Sequence, residues 1–203
     1  RLLPEHPAPA AFDDCLAVWR QMIVRAEVLR LDATKILLYG ESAGGALAAG
    51  MAQQLLAECD VRPVGQLLIY PVLDDRCGRY ASMEQSVDVA WPRSSNEQMW
   101  REYLRDITSP AAPLVPLRTD YSALAGLPPA YIEPQEIDIL HDEAVSYAEA
   151  LTAAGITVQL NEVSGSYHGF DAESDNAFVS RVIQRRLCAM KTMLESSSRQ
   201  PRP

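Results

Sequence analysis

Hydrophobic spacing divides the chain into alternating helical and extended stretches. Arg1–Ala10 is proline-rich and reads as an extended leading loop. Phe12, Leu16, Trp19, Ile23 and Ala26 recur at helical intervals and predict a first helix ending near Arg30. In Lys35–Tyr39 the run Ile36-Leu37-Leu38-Tyr39 has no polar alternation, so it predicts a strand buried on both faces, as in a parallel sheet. Small residues then follow at Ala43, Ala46, Ala49 and Gly50, with Leu47, Met51 and Leu55 four apart. They predict a helix from Ser42 to about Cys59 that lies close to the sheet. Val64–Tyr70 predicts a second buried strand, stopped by Pro71, and Ala130–Glu133 a third, after Leu127-Pro128-Pro129. A helix from about His141 (Ala144, Ala148, Leu151) ends at Gly155, a favourable residue just past a helix terminus. Ile156–Val163 alternates apolar and polar and predicts a fourth strand nearer an edge. Val179, Ile183, Leu187, Met190 and Leu194 mark a last helix, and Ser196–Pro203 a frayed tail. Strands alternating with helices imply an α/β fold built on a parallel sheet.

Between Asp74 and Ala125 the pattern changes. Strand signals vanish, and Met83, Trp91, Met99, Trp100 and Tyr103 are interspersed with charge and proline. Ser94-x-x-Glu97 reads as a capping box opening a short helix through Arg105. The stretch 74–125 is therefore expected to be a helical insertion within one domain spanning 1–203. Its aromatics fit either a lid over the functional site or a small core of their own.

Composition serves mainly to exclude. With 48% hydrophobic and 22% charged residues the chain is an ordinary globular one. A net charge of −9 disfavours nucleic acid and anionic membrane surfaces, which need clustered Lys and Arg. No stretch approaches the roughly 20 apolar residues of a membrane span. Cys15, Cys59, Cys77 and Cys188 are scattered, with no metal-like spacing, and read as free thiols in a reducing compartment, hence a cytoplasmic location. With three histidines in all, a histidine-built metal site is not expected.

Gly40-Glu41-Ser42-Ala43-Gly44, between the first buried strand and the small-residue helix, has the G-x-S-x-G spacing of a nucleophile elbow, a turn tight enough to demand flanking glycine. Alone, that spacing also suits an ordinary glycine-rich turn. In open parallel sheets ligands bind beyond the carboxyl ends of the strands. Ser42 follows the first strand, Asp138 the third, and His168 the fourth, in Gly165-Ser166-Tyr167-His168-Gly169-Phe170. A serine hydroxyl is a weak nucleophile until a base takes its proton, and imidazole can take it and later return it to a leaving group. A carboxylate holds the imidazole's tautomer and stabilises its charged form. His6, in the leading loop, and His141, opening a helix, are the weaker candidates for the base. Asp142 and Glu143 compete with Asp138 but fall in a first helical turn, where carboxylates favour the helix dipole. Glu41 is expected to brace the elbow rather than act as a second catalytic carboxylate.

These blocks together resemble a known family. Gly40-Glu41-Ser42-Ala43-Gly44-Gly45, Asp138-x-Leu140-x-Asp142-Glu143 and His168-Gly169-Phe170 are similar to the signature blocks of the bacterial hormone-sensitive-lipase-like esterases. Arg1-Leu2-Leu3-Pro4-Glu5-His6-Pro7, Tyr70-Pro71 and Gly126–Pro129 match further segments of that family in order. The resemblance implies the α/β-hydrolase fold, with Ser42 as nucleophile, Asp138 as acid, His168 as base and 74–125 as part of a substrate-covering cap. It implies a serine carboxylesterase of small to medium acyl esters, with no metal or organic cofactor. An amidase, lactonase or peptidase on the same residues, or a catalytically impaired ligand-binding module, are the alternatives. Glu41 stands where the family more often has Asp, and Ile139 and His141 replace the usual Pro and Arg. The family's His-Gly-Gly-Gly motif is nowhere in the 203 residues, which leaves only the backbone N–H of Ala43 to assign to an oxyanion hole. The chain begins at Arg1 without an initiator Met, and the expectation is a domain lacking its N-terminal strands. Ile36–Tyr39 would then be an exposed edge, covered by the absent segment or by a homo-oligomeric partner.

Overall fold

Six strands and six α-helices lie along the described residues of the computed structural model, which are 1–58, 61–85, 90–172 and 176–197. The strands are β1 (Leu37–Glu41), β2 (Gly65–Ile69), β3 (Ala130–Glu133), β4 (Gln135–Ile137), β5 (Val158–Leu160) and β6 (Val163–Tyr167). The helices are α1 (Ala10–Val24), α2 (Ala26–Leu29), α3 (Ala43–Glu58), α4 (Arg93–Tyr103), α5 (His141–Ala153) and α6 (Ala177–Ser197).

The main sheet has the order β1-β2-β3-β5, with every pairing parallel. β2 and β3 are buried along their whole length, as central strands of a parallel sheet are, and even Gln66 and Glu133 on them are fully buried. Successive side chains point to opposite faces. Leu68 and Ile132 join Phe12, Leu16, Trp19, Leu55, Tyr147 and Leu151 in the core beneath α1, α3 and α5. Leu67, Ile69 and Tyr131 face α6 through Val179, Val182 and Ala189. Fully burying such a side chain stabilises the fold by about 1.5–3 kcal/mol, so these two layers fix the sheet that carries the site. Among the described residues, β1 pairs with β2 only, and Tyr39 on that edge is 44% exposed.

The stretch 74–125 holds no strand among its described residues. It consists of 3-10 turns at Cys77–Arg79, Ala81–Glu84, Pro116–Arg118 and Tyr121–Leu124, plus α4. Met83 and Trp100 pack with Val72, Cys77 and Val115 against Ile139 and Leu140, forming a small core beside Asp138.

Four local expectations need correction. The first helix is interrupted at Arg25 and continues as the short α2, ending at Arg30 in the left-handed conformation. The Ser94–Glu97 capping box does not form: the N-cap is Pro92, two residues earlier, and the Pro92 carbonyl accepts from the Ser95 and Asn96 amides. Glu97 instead takes the Arg93 guanidinium at 2.7 Å. The predicted strand Ile156–Val163 is two strands in two sheets, β5 at the edge of the main sheet and β6 paired in parallel with β4. Asp138 and His168 therefore follow β4 and β6 of a separate two-stranded ribbon, not the third and fourth strands of the main sheet. Cys59 and most of the predicted tail, residues 198–203, lie outside the described residues.

Candidate active site

Ser42 sits between β1 and α3 with φ of +52°, a left-handed conformation uncommon for a residue with a side chain. The turn is held from outside. The Ser42 amide donates to the Ile69 carbonyl at 3.0 Å, and the Ser42 carbonyl accepts from the Gly45 and Val72 amides at 2.9 and 3.1 Å. Gly40 is required because a Cβ there would strike the Gly44 carbonyl. The second required glycine is Gly45, whose Cβ would lie 2.6 Å from Pro71 Cβ, whereas nothing lies within 4 Å of a Cβ on Gly44. The expectation of glycine on both sides of the serine thus holds at Gly40 and shifts from Gly44 to Gly45. Tyr70-Pro71 packs on that turn, with the Tyr70 ring centroid 4.8 Å from the His168 ring.

The β4–β6 ribbon brings the other two residues in. Ser42 Oγ lies 2.9 Å from His168 Nε2, and His168 Nδ1 lies 2.8 Å from Asp138 Oδ2. Asp138 is buried, and its other oxygen accepts from the Leu140 amide at 3.0 Å. With the Nδ1 proton directed at that carboxylate, Nε2 is left to accept from the serine hydroxyl. Trp91 lies partly stacked over the imidazole, with centroids 6.3 Å apart and planes 30° apart, and its indole N–H donates to buried Asn96 at 3.1 Å. Among the aromatics of 74–125, Trp100 lies in the local core, and Trp91 packs against that core while its ring lies beside the imidazole.

The competing residues have other partners. His141 lies 2.9 Å from Asp142 Oδ1 and 3.3 Å from Glu162 Oε1, and Asp142 also accepts from the Ser82 amide. His6 lines a cavity of about 320 Å³ with Leu2, Leu3, Leu47, Val72 and Met99, and that cavity reaches Ala43. Ala43 opens α3, so its N–H has no acceptor within the helix. Glu41 accepts from the Tyr39 and Tyr70 hydroxyls, so the brace expected of it runs to neighbouring rings. Neither Tyr70 nor Trp91 was singled out from the sequence as a neighbour of His168. The dipeptide Tyr70-Pro71 was the available signal for the first.

Glu143 is fully buried. One oxygen accepts from the Leu73 amide at 2.6 Å, and the other has no hydrogen-bond partner among the described residues. Burial pushes its carboxyl well above the usual range, and the nearby Asp74 and Asp138 charges push the same way. Because the folded state then holds the proton more tightly than the unfolded chain, this group's contribution is complete below the ordinary glutamate range. It is lost as pH rises towards the folded value. Glu143→Gln should therefore melt like the parent in acid and above it at mildly alkaline pH, as thermal midpoints across that range will show.

No group of three or more His, Cys, Asp or Glu among the described residues could hold a metal ion. No helix among them is long and apolar enough to cross a membrane.

Known proteins share this fold. The profile of a family described as alpha/beta hydrolase fold matches residues 1–172. An ethyl acetate hydrolase of Pseudomonas putida is 35% identical over 173 residues, covering 84% of this chain and 54% of that protein. A bacterial heroin esterase superimposes with a TM-score of 0.89 at 34% identity, over 96% of this chain and 62% of that one. The esterase LipW of Mycobacterium marinum gives a TM-score of 0.89 at 35% identity, over 95% of this chain and 60% of its own. The chain thus spans about half the length of the curated relatives it matches.

Proposed function

The chain belongs to the alpha/beta hydrolase fold family, and on that premise we propose that it carries the catalytic residues of a serine carboxylesterase for small to medium acyl esters. The observation that supports this most directly is the unbroken hydrogen-bonded series from Ser42 Oγ through His168 to Asp138. Ser42 Oγ attacks the ester carbonyl carbon while His168 Nε2 takes the hydroxyl proton, and Asp138 stabilises the resulting imidazolium. The carbonyl oxygen, now an oxyanion, accepts from the Ala43 N–H. Collapse of the tetrahedral adduct breaks the bond to the alcohol, which leaves with the proton from His168 and forms the acyl-enzyme. Water, deprotonated by the same imidazole, then attacks the acyl carbon and releases the acid, restoring Ser42.

The apolar cavity at Ala43 takes the acyl group, since it opens beside the oxyanion donor. Tyr70 and Trp91 flank the imidazole and face the departing alcohol. The stretch 74–125 acts as part of a cap over both. The edge of β1 that pairs with no strand among the described residues is a pairing surface for a further strand or a second copy. The free thiols of Cys15, Cys77 and Cys188 suit the reducing cytoplasm.

A fluorophosphonate probe tests the reading. Covalent capture on the Ser42 peptide is expected by mass spectrometry, absent in Ser42→Ala and slowed about 10³-fold or more in His168→Ala. A chain that binds esters but leaves Ser42 unlabelled would be a ligand-binding module instead.

A further inference from the structure

Two buried charged side chains with no part in ester cleavage lie beneath the His168 loop. Arg186, on α6, is 5% exposed, and Glu133, the last residue of β3, is 0% exposed. Arg186 Nη2 donates to Glu133 Oε1 at 2.6 Å, and Nε lies 3.1 and 3.2 Å from the two carboxylate oxygens. Its remaining arm, Nη1, donates to Asp171 Oδ2 at 2.5 Å, and the guanidinium carbon stands 5.9 Å from the Phe170 ring centroid. Such a cluster carries a desolvation penalty that apolar residues of the same volume would avoid. Its placement gives it a use.

Both stems of the loop bearing His168 lead to this one guanidinium. On the near side, Gln135 Nε2 donates to Glu133 Oε1 at 3.2 Å, and Gln135 Oε1 accepts the hydroxyl of Ser166, in the strand that runs into His168. On the far side, Asp171 accepts from the Tyr70 hydroxyl at 2.9 Å, and the Tyr70 ring lies against the imidazole. Residues 166, 170 and 171 bracket His168, and each is tied to Arg186 directly or through Glu133 and Gln135.

We propose that Arg186 is a positioning residue for the reaction assigned above: it fixes the loop so that His168 Nε2 meets Ser42 Oγ while Nδ1 stays on Asp138. The inference rests on the esterase reading for its kinetic consequence and on hydrogen-bond geometry for its structural one. Arg186 transfers no proton and touches no substrate. A planar fork serves two carboxylates at once, which an ammonium on a flexible stem does not reproduce.

Arg186→Met, Arg186→Lys and Asp171→Asn test it, the last leaving the Arg186–Glu133 pair intact. Three quantities are compared per folded molecule: the rate of Ser42 phosphonylation, kcat and KM for a short-chain ester, and the downfield proton resonance of the His168 Nδ1–H bond to Asp138. Arg186→Met should lose about 10- to 100-fold in phosphonylation and kcat with KM changed less than about twofold, because a small misplacement of a reacting group carries losses of that order. The downfield resonance should broaden or vanish. Arg186→Lys should recover part of the loss, and Asp171→Asn should show a smaller loss in the same direction. Unchanged rates and resonance with only a lower melting temperature would overturn the proposal. If Arg186→Met does not fold, Asp171→Asn decides on the same readouts. If the parent chain itself never reacts with the phosphonate, the esterase reading fails, and the resonance comparison still decides what Arg186 does.

Discussion

Asp138→Asn should lower kcat for ester cleavage about 10⁴-fold while leaving the fold in place. Asn is nearly isosteric, and its carbonyl oxygen can still accept from the Leu140 amide, as Asp138 Oδ1 does at 3.0 Å. The amide group then faces His168 Nδ1, 2.8 Å from the present Oδ2. An N–H directed at Nδ1 forces that nitrogen to be the acceptor, so the ring proton moves to Nε2. Nε2 is the atom 2.9 Å from Ser42 Oγ, and once protonated it cannot take the hydroxyl proton. The variant also lacks the negative charge that stabilises the imidazolium formed during attack. Single-turnover and steady-state rates on a short-chain ester, with a thermal melt to show that the fold persists, measure the loss. A variant keeping more than about a tenth of the parent kcat would mean that another carboxylate, Asp142 or Glu143, carries the role. The geometry opposes that, because Asp142 is taken by His141 and the Ser82 amide, and Glu143 is turned to the Leu73 amide.

How much of this was legible in the sequence depended on whether the deciding interactions were local. Ser42 was readable because the buried strand, the tight turn and the small-residue helix are adjacent in the chain and each leaves its own pattern. Gly155 was readable for the same reason, with its φ of +80° just past α5. The β4–β6 ribbon was not. Gln135-Glu136-Ile137 follows Pro134, is short and mostly polar, and gives no periodic signal. Nor does the alternation of Ile156–Val163 reveal that it serves two sheets. The Asn161 amide closes β5 on the Ile132 carbonyl at 2.8 Å, and the Val163 amide opens β6 on the Pro134 carbonyl at 3.1 Å. Residue types and chain order were thus enough to nominate Ser42, Asp138 and His168, while the ribbon that brings the last two together depends on pairing between segments distant in sequence. The same holds for Arg186. Arg181, Arg185 and Arg186 all lie on α6, and the inward one is selected by Glu133 and Asp171, far away in the chain.

Alanine at Gly40 should be far more damaging than alanine at Gly44, although both glycines belong to the same short motif. A Cβ on Gly40 would run into the Gly44 carbonyl, which is backbone at the start of α3 and cannot swing aside as a side chain could. Relief would require β1 and α3 to separate, yet the Ser42 turn between them is pinned to Ile69 and Val72 by backbone hydrogen bonds. Overpacking against a fixed neighbour at an already strained turn is expected to cost about 3 kcal/mol or more, a large part of the 5–15 kcal/mol typical of a whole domain. At Gly44 nothing lies within 4 Å of the added carbon, and the residue is in the first turn of a helix, where alanine is favoured over glycine by up to about 1 kcal/mol. Gly44→Ala should therefore match or exceed the parent in denaturant midpoint, whereas Gly40→Ala should unfold at much lower denaturant and lose phosphonate capture at Ser42. Equal midpoints for the two variants would mean that the elbow tolerates strand and helix moving apart. The left-handed φ of Ser42 would then need some support other than the close approach of β1 to α3.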